Sequence, residues 1–180
     1  MNNTWTRDQL LVAFNLYCKI PFSKTKANNP SVIRVARLIN RSPASVAMKL
    51  GNFGSFDPAL QSKGITGLSR TSRADREIWD EFNQDWDKLS MESELAVERL
   101  GAGLEGKLGS KSQVGLPASR ELSEFEEVLA GPSETARLVK VRLHQRFFRE
   151  SVLASYGSTC CVCANPIPQL LTAGHIVPWS

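Results

Sequence analysis

Two cap-and-proline pairs, Asn29-Pro30 and Ser42-Pro43, constrain the front of this chain most tightly. Asn and Ser side chains accept from the orphan N–H groups of a first helical turn. Proline at the first helical position gives up no hydrogen bond there. Each pair therefore starts a helix. Val32, Val35, Ala36, Leu38 and Ile39 form the apolar face of the first, and Asn40-Arg41 interrupts it. Val46, Ala47 and Leu50 are the buried positions of the second, which ends at Gly51 or soon after. Upstream, Thr6-Arg-Asp-Gln9 has the capping-box form, and Leu10, Leu11, Ala13, Phe14 and Tyr17 follow at helical spacing up to Ile20-Pro21.

Residues 51–71, rich in Gly, Ser, Asp and Pro, read as loop. Ser72 caps a long helix running to about Leu100, with Ile78, Phe82 and Leu89 on one stripe, Trp79 and Trp86 beside it as core, and an acidic opposite face. Residues 101–119 are the linker candidate, and 121–129 could form one short helix. Residues 135–143, TARLVKVRL, alternate from Leu138 onward and predict an extended stretch. Phe147 to Tyr156 predict a helix closed by Gly157. Thr159–Val162 and Leu170–Val177 then read as two strands around the turn Asn165-Pro-Ile-Pro168, with His175 late in the second.

Charge is unevenly placed. Residues 1–76 hold twelve Lys and Arg against three Asp and Glu, residues 77–98 hold one against eight, and residues 136–180 hold five against one. Two basic blocks around an acidic one suit either ordinary solvation or two surfaces facing a polyanion. Three of the four cysteines, Cys160, Cys161 and Cys163, fall within four positions, a poor disulfide framework for a chain of 180 residues. Cys18, in an apolar helical pattern, reads as a buried small hydrophobe. No stretch approaches the ~20 apolar residues of a membrane span, and MNNTWTRDQL lacks a secretory apolar core. The expectation is a cytoplasmic protein without a membrane partner.

The tail VRLHQRFFRESVLASYGSTCCVCANPIPQLLTAGHIVPWS resembles the opening of an HNH nuclease domain of the type found in bacterial restriction endonucleases. Arg142, Gln145, Phe148-Arg149, Tyr156-Gly157 and His175-Ile176-Val177-Pro178-Trp179 carry the likeness, which covers roughly residues 137–180. The resemblance implies a ββα-metal fold. His175 would be the general base that takes a proton from water, and Mg²⁺ or another divalent metal would stabilise charge on the phosphate. An imidazole of ordinary pKa near ~6.5 suits that role, and a metal suits the departing oxygen. The usual place of a lone histidine in a strand is structural. It is the surrounding motif that favours the base.

Two departures from the family stand out. Gly174 occupies the position where many members place a metal-binding Asp, and the Asn and second His of the motif do not occur before Ser180. The expectation is a truncated chain, inactive alone. His144 stands where the family usually has Gly and is given a surface or phosphate-contact role at most. Arg142, Arg146 and Arg149 share a helix face and would either lie solvated or grip phosphates. Cys160 and Cys163 form one CxxC pair. They read as buried strand cysteines, with half a zinc site as the alternative, because structural zinc takes four ligands.

The front resembles a Myb/SANT-like helix-turn-helix, on Trp5-Thr6 and on the segment from Val35 to Leu50 around the Asn40-Arg41 turn. The resemblance makes the second helix of that pair the reader of the major groove, with Arg41, Ser45, Lys49 and Asn52 facing outward. A plain helical bundle would show the same caps and stripe. The sequence as a whole predicts an α+β protein: a helical DNA-binding domain over residues 1–100, a linker with a short helix over 101–133, and the β-hairpin start of an incomplete HNH domain over 134–180. The expected function is metal-dependent cleavage of double-stranded DNA in restriction or defence, with non-catalytic DNA binding or regulation as the alternative. Cutting both strands commonly takes two active sites, which admits a homodimer.

Overall fold

The Thr6 capping box forms as its sequence dictates: Gln9 N–H donates to Thr6 Oγ1 at 3.3 Å, and Thr6 N–H donates to Gln9 Oε1 at 3.2 Å. It opens α1 (Arg7–Lys19), whose residues Leu10 to Leu16 are all buried. A helix buried nearly all round belongs at the centre of its fold. In the computed structural model, which describes residues 4–68, 71–105 and 134–174 (side chains at 4–68, 71–102 and 141–174), α1 touches five of the other helices.

Asn29 and Ser42 cap as expected. Ser31 N–H donates to Asn29 Oδ1 at 2.8 Å and Ser45 N–H to Ser42 Oγ at 3.2 Å, starting α2 (Pro30–Leu38) and α3 (Pro43–Gly54). Asn40 between them adopts φ 53°, a left-handed turn that Asn tolerates. Val32, Ala36 and Ile39 of the first helical stretch and Val46, Leu50 and Phe53 of the second join α1 in one core. Phe14 sets its ring edge-on to Phe53 (centroids 5.1 Å) and to Phe82 (4.9 Å). Such pairs add about 0.5–1.5 kcal/mol each beyond area burial.

Residues 51–71 are less open than the loop reading. Residues 51–54 continue α3, and Asp57 caps a single helical turn, α4 (Pro58–Gln61). The expected long helix after Ser72 is two helices, α5 (Arg73–Gln84) and α6 (Trp86–Glu105). Asp85 breaks them apart: its N–H still bonds Glu81 O at 2.9 Å, while its Oδ1 accepts from Lys88 N–H at 3.0 Å and so begins the next helix. α6 also runs through residues 101–105, the first part of the linker candidate. The remainder of that linker and the short helix expected at 121–129 lie outside the described residues.

The α+β expectation is overturned. Among the described residues the chain is helical, with no strand and no hairpin. Residues 135–143 belong to α7 (Glu134–Ser155) rather than to an extended stretch. The alternation from Leu138 to Leu143 is too short to outweigh the helical spacing of Leu143, Phe147 and Ala154, all buried. That face packs on α1 and α6, so α7 joins the front bundle. Thr159–Val162 is a tight turn, and Pro168–Leu170 is a 3-10 turn. His175 and the end of the expected second strand lie outside the described residues. No helix among the described residues is long and apolar enough to cross a membrane.

Candidate nucleic-acid interface

Between Gln9 and Phe56 the sequence has seven Lys and Arg and no Asp or Glu. The fold sorts those seven into two groups. Lys19, Arg41 and Lys49 are spent inside it. Lys49 Nζ donates to Asp75 Oδ1 at 2.7 Å with both side chains buried, and lies 4.9 Å from the Trp5 ring centre. Asn52 Nδ2 donates to Asp75 Oδ2 at 2.8 Å. Burial alone would push the Asp75 carboxyl up. Lys49, the Ser72 backbone and Asn52 together hold it below the usual carboxylate range. Arg41 donates to Thr4 O at 2.6 Å and to Gln9 Oε1 at 3.0 Å, with its guanidinium 5.1 Å from the Trp5 ring centre. Trp5 is thus framed by two cations, each of which also holds a neighbouring element.

The outward placement expected for Lys49 and Asn52 is therefore corrected: both are buried and face α5. The physical reason is helical spacing. Val46, Lys49, Leu50 and Phe53 fall on one face at i, i+3, i+4 and i+7, and that face meets the core. Arg41 is half-buried and engaged, and Ser45 is half-buried. What α3 presents to solvent is apolar. Met48 is 61% exposed, and with Ala44, Ala47, Gly51 and Leu68 it lines a shallow open groove. A groove-reading helix needs donors and acceptors on its outer face, and α3 offers few.

The other four cations, Lys24, Lys26, Arg34 and Arg37, are exposed and have no carboxylate partner among the described residues. Lys24 and Lys26 flank buried Thr25, whose Oγ1 donates to Phe22 O at 2.7 Å and fixes the turn before α2. Arg34 and Arg37 lie three apart on α2, opposite the face that buries Val32 and Ala36. Sequence reading missed all four as binding candidates. The absence of any acid between Asp8 and Asp57 was the available signal.

Several acids of the segment 77–98 are paired with cations within the fold. Arg7 pairs with Glu81 (2.6 Å) and Glu92 (2.9 Å), and Arg99 with Asp8 (3.0 Å). Lys19 bridges Glu94 and, at 2.8 Å, Glu150 of α7, while Asn15 Nδ2 donates to Glu94 Oε1 at 2.8 Å. His144 is not at the open surface. Its Nε2 lies 2.6 Å from Asp87 Oδ1, and its ring lies 4.5 Å from that of Trp86, in the seam between α6 and α7. Of the three tail arginines, Arg142 is exposed, and Arg146 is exposed and paired with Glu150 at 3.3 Å. Arg149 turns to the backbone, donating to Pro168 O at 2.8 Å and Leu171 O at 3.2 Å.

The cysteines also depart from expectation. Cys160 is half-buried and Cys161 and Cys163 are exposed, all in a turn and none in a strand. Cys18 packs against the core, and burial pushes its thiol up. Among the described residues no three His, Cys, Asp or Glu side chains converge as a metal would need. The described residues thus do not supply a set of metal ligands. No family model, curated protein or solved structure matches this chain.

Proposed function

We propose that this protein binds double-stranded DNA through the outer face of α2 and the turn before it. The observation that carries the reading is the sorting of the N-terminal cations. Those on α1 and α3 are neutralised or capped within the fold, whereas Lys24, Lys26, Arg34 and Arg37 stay exposed without carboxylate partners among the described residues. Exposed, unneutralised cations on one helix and its leading turn suit a phosphate backbone. The test is an electrophoretic mobility shift of the full chain with a mixed-sequence duplex over a range of salt. Retardation at low salt that fades steeply as salt rises supports the reading. No retardation at low salt overturns it.

A second reading adds metal-dependent cleavage, as in HNH nucleases of restriction or defence. It rests on the sequence of the tail, His175-Ile176-Val177-Pro178-Trp179 above all. His175 would be the base, and Mg²⁺ or another divalent ion the charge-stabilising partner. Plasmid nicking with Mg²⁺ or Mn²⁺ decides it. Cleavage lost in His175→Ala supports the nuclease, and absence of nicking by a chain that still binds DNA leaves the binding protein alone standing. A homodimer would serve a nuclease that cuts both strands.

A further inference from the structure

Asn and Gln are the side chains that read adenine, and the fold has engaged most of those near the N-terminus. Gln9 Nε2 donates to Ile39 O at 2.9 Å, and its Oε1 accepts from Arg41 at 3.0 Å. Asn15 donates to Ser93 Oγ and to Glu94 Oε1, both at 2.8 Å. Asn29 caps α2, and Asn52 donates to Asp75. Of the six Asn and Gln between Thr4 and Phe56, Asn28 and Asn40 are the exposed ones. They sit before α2 and after it, off its outer stripe. Arg7 and Arg41 are engaged as well, Arg7 with Glu81 and Glu92 and Arg41 with Thr4 O and Gln9.

The outer stripe of α2 is Pro30, Arg34 and Arg37, exposed at i, i+4 and i+7. Lys24 and Lys26 stand on the turn before it, on either side of the buried Thr25 that fixes that turn. Lys and Arg side chains only donate hydrogen bonds. A face made of donors alone matches phosphate oxygens, which only accept. Adenine and cytosine edges present N–H groups that such a face cannot meet. The neighbouring helix adds no reader, because the exposed side chains of α3 are Ala44 and Met48.

We propose that this face takes duplex DNA of any sequence, through one phosphate for each of Lys24, Lys26, Arg34 and Arg37, and reads no base edge. The inference rests on the DNA-binding reading of α2 and adds its substrate class, the phosphate backbone of a duplex as opposed to a sequence site. Two consequences follow from charge. Affinity is set by counterion release, so four neutralised phosphates give a slope of log affinity against log salt of about −3.6. Charge also suffices without the planar fork of arginine, which only a guanine reader would need.

The test uses the full chain and three labelled duplexes of equal length, one of mixed sequence, one all A·T and one all G·C, titrated by fluorescence anisotropy over a range of salt. The three dissociation constants should agree within about threefold, against the ~10³-fold or more that separates specific from non-specific binding. The three slopes should coincide near about −3.6. The Arg34→Lys, Arg37→Lys double variant should keep both the affinities and the slope. Preference for one duplex of about tenfold or more, or a preference for G·C that disappears in the double lysine variant, would show base reading and overturn the inference while leaving DNA binding intact. A common slope far steeper than that expected would overturn the four-phosphate contact. Failure to bind any of the three at low salt would instead remove the α2 reading itself.

Discussion

Lys49 Nζ and Asp75 Oδ1 lie 2.7 Å apart with both side chains buried, tying α3 to α5. The same carboxylate accepts from Asn52 and from the Ser72 backbone, so it both caps α5 and neutralises Lys49. Removing it strands an ammonium in the interior and strips a cap. Asp75→Ala should cost about 3–5 kcal/mol, the range for breaking a buried ion pair from one side. Urea unfolding followed by circular dichroism measures it. Lys49→Met together with Asp75→Leu should cost much less than Asp75→Ala alone, because no charge is then left unpaired. A double variant as damaged as the single would refute this account.

The pH dependence of that pair follows from its sign. Asp75 titrates lower in the fold than in the open chain, whose carboxyl titrates near ~3.9. Its contribution is therefore complete above that value and is lost as pH falls through the lower, folded value. Stability of the native chain should drop more steeply below about pH 4 than that of the Lys49→Met, Asp75→Leu variant. Parallel curves from urea titrations at several pH values would show that Asp75 is not the group responsible.

Where the local signal is a cap or a proline, the fold was legible. Thr6, Asn29, Ser42 and Ser72 all cap as their sequence requires, because a capping hydrogen bond spans only two or three residues. The face of α3 was misjudged because its buried stripe was taken to stop at Leu50, while the helix, which ends soon after Gly51 as expected, carries one more large apolar residue. Phe53 then joins the buried stripe, and its spacing draws Lys49 inward with it. Nothing near Lys49 marks its partner, since Asp75 lies 26 residues away and becomes visible only once α5 is packed. The tail failed for a related reason. Six residues of alternation suggested a strand, while Leu143 and Phe147 were already spaced to bury against α1 and α6. Of the residues expected to face outward from α3, Lys49 and Asn52 turn inward to Asp75. Exposed arginines sit on α2, where the run without acids begins to matter only after the internal pairs are known.

Lys19 holds α7 to the bundle. It is the shared cation of Glu94 on α6 and Glu150 on α7, so its loss leaves two carboxylates facing each other across the seam. Burial would raise the Glu150 carboxyl, but Lys19 and Arg146 hold it below the usual range. Lys19→Ala should accelerate amide hydrogen exchange across residues 141–155 by at least tenfold, with far smaller changes in α2 and α3. That factor corresponds to about 1.4 kcal/mol of lost local stability. Uniform acceleration over the whole chain would instead mean that Lys19 supports the global fold and not the docking of α7.

Arg34 and Arg37 separate binding from folding. Both are exposed on α2, opposite its core face, and neither has a carboxylate partner among the described residues. Replacing both with Ala should therefore change stability by no more than about 0.5 kcal/mol. If each neutralises one phosphate, the double variant should lower the slope of log affinity against log salt by roughly two. The wild-type chain and the variant are compared in salt titrations of a fluorescently labelled duplex. Lys49→Ala is the opposite control. It should weaken binding only to the extent that it unfolds the protein, because its ammonium is turned toward Asp75 and away from solvent. Equal slopes for wild type and the Arg34→Ala, Arg37→Ala variant would remove α2 from the interface.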